Sequence, residues 1–119
     1  MEKIKEMSID LETYSDIDIK KSGVYKYAES ENFEILLFAV SINGGDVIVY
    51  DLTCGDVLPD EILDAIVSND IIKWAFNASF ERICLSYWMK RNYLPASAVT
   101  AFLRTPLAIT SILLHGVAQ

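Results

Sequence analysis

A chain of 119 residues has room for one domain with a modest core, and 52% apolar residues exclude a disordered chain. No apolar run reaches the roughly 20 residues that span a bilayer. The charged start, Met1 to Glu6, has no signal-peptide core, and Cys54 and Cys84 lack motif spacing, so the chain is expected in the cytoplasm with reduced thiols.

The net charge of −7 is unevenly placed. Residues 1–81 hold six lysines against all seventeen acids, a balance of −11. Residues 82–119 hold Arg82, Lys90, Arg91, Arg104 and no acid, a balance of +4. Such polarity is compatible with a nucleic-acid partner when cations screen the carboxylates.

Residues 3–11 read as a strand. In Ser8-Ile9-Asp10-Leu11-Glu12-Thr13 apolar and acidic residues alternate, so Ile9 and Leu11 take one face while Asp10 and Glu12 share the other. Neighbouring carboxylates raise each other's pKa unless a cation lies between them, and Mg²⁺ or Mn²⁺ suits such oxygen ligands. The plainer reading is a solvated strand face.

Ser15 or Asp16 is placed to cap a short helical turn over Ile17–Lys21, which Gly23 breaks, and Val24–Ser30 reads as a further turn. Phe33–Ile42 is β-rich and nearly continuously apolar, Asn43-Gly44-Gly45-Asp46 signals a hairpin, and Val47–Leu52 returns. Pro59 opens a helix whose Ile62, Leu63, Ile66 and Val67 form one face, ending at Ser68–Asp70. Ile71–Phe76 reads as a short strand. Asn77 caps a last helix, with Phe80, Ile83, Cys84, Tyr87 and Trp88 at helical spacing, and Pro95 closes the patterned region. Together these elements predict a mixed sheet with helices packed on it, an α/β or α+β layer design.

Asn77 and Glu81 fall on one side of the first turn of that last helix. If the strand before it lies beside the first strand, Glu81 approaches Asp10 and Glu12, and three converging carboxylates make a hard-metal site. Alternatively Asn77 is only a cap and Glu81 a first-turn acid that complements the helix dipole.

Asp10-x-Glu12 followed by Asn77-x-x-Phe80-Glu81 resembles the proofreading 3′–5′ exonuclease family with four catalytic acids, which has the ribonuclease H-like fold. The longer runs Ser8–Ser15 and Trp74–Arg82, with Gly23–Ala28 and Phe33–Leu37 between them, are similar to the N-terminal exonuclease region of phage and prophage family A DNA polymerases. The resemblance covers about residues 5–94. It implies a sheet of three antiparallel strands and then a parallel one, flanked by helices. It also implies two cations, Mg²⁺ or Mn²⁺, about 4 Å apart. Asp10 would bridge both, Glu12 would ligate one and orient the attacking water, and Glu81 would stand as the second-motif acid, where the wider superfamily usually carries Asp. Asn77 would hold the DNA end or the motif backbone, and Phe80 would pack behind the site. Leu11 and Thr13 would lie near the terminal base and sugar of a single-stranded DNA 3′ end, in the cytoplasm of a bacterial or phage-infected cell.

The family also has a third motif, a late Asp preceded by Tyr or His. No acid follows Glu81 here, and the only histidine, His115, has none near it and reads as a surface or terminal residue. The chain is therefore expected to be a single partial domain, family-like over 1–94 with a divergent tail over 95–119. Exonuclease activity is expected to be weak or absent. The alternative is a catalytically inactive exonuclease-like fragment acting as a nucleic-acid-binding or self-associating module, joined through an exposed sheet edge or the tail.

Overall fold

The computed structural model describes residues 3–68, 70–93 and 109–111, the last three by backbone alone. Strand β1 (Glu6–Tyr14) leads into helix α1 (Ile19–Glu29), and β2 (Glu34–Ile42) and β3 (Val47–Asp51) form a hairpin. Helix α2 (Asp60–Val67), strand β4 (Ile72–Ala75), helix α3 (Ala78–Asn92) and strand β5 (Ile109–Ser111) follow. The strands make one sheet in the order β3-β2-β1-β4-β5. β1, β2 and β3 are mutually antiparallel, β4 runs parallel to β1, and β5 parallel to β4. The chain is thus an α/β domain on a mixed sheet, as its pattern of elements predicts.

Alternation along β1 holds residue by residue. Met7, Ile9 and Leu11 are buried, whereas Asp10 and Glu12 are exposed. In the β1–β2 register Ile9 faces Val40 and Leu11 faces Phe38, so the core is a set of cross-strand pairs. Ile62, Ala65 and Ile66 of α2 and Ile83, Cys84, Leu85 and Met89 of α3 complete it. The hairpin turns on Asn43 (φ 52°) and Gly44 (φ 73°), two successive left-handed residues of the kind that match strand twist. Asn43 also accepts from the backbone N–H groups of Lys5 (2.8 Å) and Glu6 (3.1 Å), fixing the start of β1.

Two details depart from the sequence reading. The cap of α1 is Asp18, whose carboxylate accepts from the Lys20 N–H at 2.9 Å. Ser15 and Asp16 are engaged elsewhere, Ser15 donating to the Tyr27 carbonyl and Asp16 accepting from Ser30 and Asn32. Gly23 interrupts α1 with φ 86°, as the reading of two short turns anticipates. The second departure is β5, which lies in the Ala/Leu/Thr-rich tail. A three-residue strand is too short to leave a periodic signature.

Lys73 is buried, and its ammonium donates to the carbonyls of Ala65 (3.2 Å) and Ser68. These belong to the C-terminal end of α2, where carbonyls lack helical partners and the dipole is negative. Burial holds the Lys73 pKa below its usual value. Arg91 ties the far end of α3 to the α1–β2 connection, donating to the carbonyls of Phe33 and Ser30, each at 2.9 Å. Among the described residues, no helix is long and apolar enough to cross a membrane.

Candidate active site

Parallel pairing of β1 with β4 matches Met7 to Lys73 and Ser8 to Trp74, so Asp10 stands just beyond the carboxyl end of β4. The chain leaves β4 at Ala75 and enters α3 at Ala78, with Glu81 in the first helical turn. That short passage brings Glu81 to Asp10. The Asp10 charge contributes to the shift of Glu81, so the two carboxylates lie within electrostatic reach.

The two acids differ in environment. Asp10 and Glu12 are exposed on β1, whereas Glu81 is only 5% exposed. Its Oε2 is buried with no hydrogen-bond partner. Burial first, and Asp10 second, push the Glu81 pKa from 4.5 up to about 7, against an opposing backbone hydrogen bond. Unpartnered buried carboxylate oxygen is costly, and natural folds keep it mainly where a function needs it. The same microenvironment acts on Cys84, whose buried thiol is raised to about 12 by desolvation and by Glu81.

Asn77 caps α3, its side chain accepting from the Phe80 N–H at 3.4 Å. Asn77→Ala is therefore expected to cost about 1 kcal/mol of stability, and Asn77→Asp to retain most of it, as read from urea unfolding midpoints. Phe80 is half-buried, its ring 6.1 Å from that of Tyr27. Tyr27 in turn shares a hydrogen bond with the Thr13 hydroxyl (2.8 Å) and meets Phe33 edge-on at 5.8 Å. This Tyr27 clamp joins the end of β1 to the start of α3, and sequence reasoning missed it because the broken helix α1 has no apolar stripe to single Tyr27 out. Leu11 is turned into the core, on the face opposite to Asp10 and Glu12.

Hard carboxylate oxygens on Asp10, Glu12 and Glu81, one of them orphaned, have the chemistry that Mg²⁺ or Mn²⁺ prefers. Among the described residues, however, no three acidic, histidine or cysteine side chains are gathered closely enough to form a ready-made metal cage. The pair Asp10–Glu81 is what the fold assembles. His115 and most of the tail lie outside the described residues.

Comparison with known proteins bears on the chain as a whole. The chain is 44% identical over 117 residues to a DNA polymerase of Bacillus phage SP02. It is similar to one segment of that polymerase. The match takes in 98% of this chain but 18% of the polymerase, so the chain spans under a fifth of its relative's length. A match of that extent runs on past residue 94, into the stretch whose wording departs from the exonuclease pattern. No family model matches the chain.

Proposed function

We propose that this chain carries the metal-binding edge of a 3′–5′ exonuclease of the DNA-polymerase proofreading type, on a ribonuclease H-like sheet. The single observation that carries the reading is the juxtaposition of Asp10 with the buried Glu81 carboxylate, whose Oε2 has no partner, beside the carboxyl end of β4. Such strand ends are where open α/β sheets bind their ligands. The strand order, three antiparallel strands with a parallel extension, supports the fold, and the phage polymerase similarity supports the polymerase context.

Asp10, Glu12 and Glu81 are the residues that would hold divalent cations. When bound, such cations lower the pKa of water and stabilise charge on the leaving 3′ oxygen of a phosphodiester. The protein's own contribution is positional. Asp10 and Glu12 project together from β1, and Glu12 would accept a hydrogen bond from, and so orient, the attacking water molecule. Glu81 is held by the Asn77-capped turn, with Phe80 packed against Tyr27 behind it. Thr13 and Asn77 border the same end of the sheet and are the proposed contacts to the terminal nucleotide; Leu11 supports them from the core.

Because no acid follows Glu81, the chain supplies three of the four acids such a site uses, and its turnover is expected to be slow. Single-stranded DNA labelled at its 5′ end and incubated with Mn²⁺ is expected to shorten stepwise from the 3′ end, and not to do so with Asp10→Ala. Shortening that persists in Asp10→Ala would overturn the assignment. Absence of any shortening, with DNA binding retained, would favour an inactive nucleic-acid-binding module instead, a reading that the missing acid motivates.

A further inference from the structure

The chain is acidic overall, yet its cations are not scattered. Helix α1 carries Lys20, Lys21 and Lys26, and the last turn of α3 carries Lys90 and Arg91. Contact between α1 and α3 brings Lys26 to the same groove as Lys90 and Arg91. Between the two helices lies an open groove of about 690 Å³, with Lys26, Lys90, Arg91, Tyr87, Ser30 and Glu29 on its walls. Three cations meet a single acid there. Among the described residues neither Lys26 nor Lys90 takes part in an ion pair, and both side chains are exposed.

Arg91 is anchored to the carbonyls of Ser30 and Phe33, which fixes the groove floor and leaves its remaining guanidinium donors directed away from them. The Lys90 ammonium lies 6.0 Å from the centre of the Tyr87 ring. Tyr25 is 61% exposed and close enough to Tyr87 to influence it electrostatically. Cations alternating with accessible aromatic rings are what a flexible, single-stranded nucleic acid requires, since phosphates take the charges and bases stack on the rings. Ile17, three residues beyond the end of β1, also lines the groove.

We infer that the α1–α3 groove binds the sugar–phosphate backbone of a single-stranded nucleic acid, with Lys26 and Lys90 contacting phosphates and Tyr25 and Tyr87 offering stacking faces. The class of partner rests on the exonuclease reading; the contacts rest on the groove itself.

The test is fluorescence anisotropy of a labelled oligothymidylate of about 12 nucleotides, in EDTA so that neither cations nor cleavage contribute. Lys26→Ala/Lys90→Ala is expected to weaken binding on the order of tenfold at low salt. It should also reduce the slope of log affinity against log salt by about 1.4, two phosphate contacts at about 0.7 each. Lys26→Arg/Lys90→Arg should bind like the parent chain. Lys20→Ala/Lys21→Ala removes the same charge from elsewhere on α1 and should change affinity far less. Equal losses in the two alanine pairs, no loss in Lys26→Ala/Lys90→Ala, no binding by the parent chain, or equal competition by polyglutamate would each overturn the inference. Mn²⁺ binding that depends on Asp10 should be unchanged in Lys26→Ala/Lys90→Ala, so the groove and the metal edge can fail separately.

Discussion

Glu81→Gln is expected to stabilise the metal-free protein by about 3 kcal/mol near pH 8 and to leave its stability almost unchanged near pH 4. The folded carboxyl titrates at about 7 against an ordinary 4.5, so between those values the native state binds a proton that the unfolded chain has released. Stability from this group is therefore intact below about pH 4.5 and declines as pH rises towards 7. Above that range the fold carries an ionised, buried carboxylate whose Oε2 has no partner. Glutamine reproduces the neutral form at every pH, so the decline disappears. Urea midpoints of the two proteins in EDTA should converge in acid and separate above neutrality. A constant difference across the range would mean that Glu81 is not buried in its charged form. Such a pH-dependent cost is what the proposed metal-binding role of Glu81 accounts for.

Phe38→Ala is expected to cost about 3–5 kcal/mol. Phe38 is fully buried on β2, directly opposite Leu11, which sits between Asp10 and Glu12 on β1. Loss of the ring opens a cavity beneath the strand that carries both acids. Against a typical total of about 5–15 kcal/mol, that loss leaves little margin. Phe38→Leu, which refills much of the volume, should recover over half of the loss. Both are read from urea unfolding in the same buffer. Equal costs for Ala and Leu would show that the β1–β2 interface is not the packed layer described above.

Much of this arrangement is legible in the sequence because local rules and the global fold agree. The Ile9–Asp10–Leu11–Glu12 alternation specifies which residues the sheet buries, and Asn43-Gly44 specifies the hairpin. Asn77, with a polar side chain before an apolar-periodic run, specifies where α3 starts. What escaped depends on long-range contacts. The α1 cap falls to Asp18 because Asp16 is occupied by Ser30 and Asn32, fourteen and sixteen residues away. Lys73 falls in a stretch that reads only as a short strand, and it is buried where the carbonyls at the end of α2 accept from its ammonium. The Thr13–Tyr27–Phe80 chain links three elements and has no signature in any one of them. For the proposed site, the sequence points to Asp10, Glu12 and Glu81, and the fold adds that Glu81 is buried while Asp10 and Glu12 remain at the surface.

That asymmetry suits a site completed by its cation. The central claim, that Asp10, Glu12 and Glu81 form a divalent-metal edge, is tested most directly by isothermal titration of the chain with Mn²⁺ near neutral pH. Saturable binding is expected in the parent chain and its loss in Asp10→Ala and in Glu81→Gln, with protons released as Glu81 ionises. Mn²⁺ binding that is absent from the parent chain, or equally strong in Asp10→Ala, would contradict it.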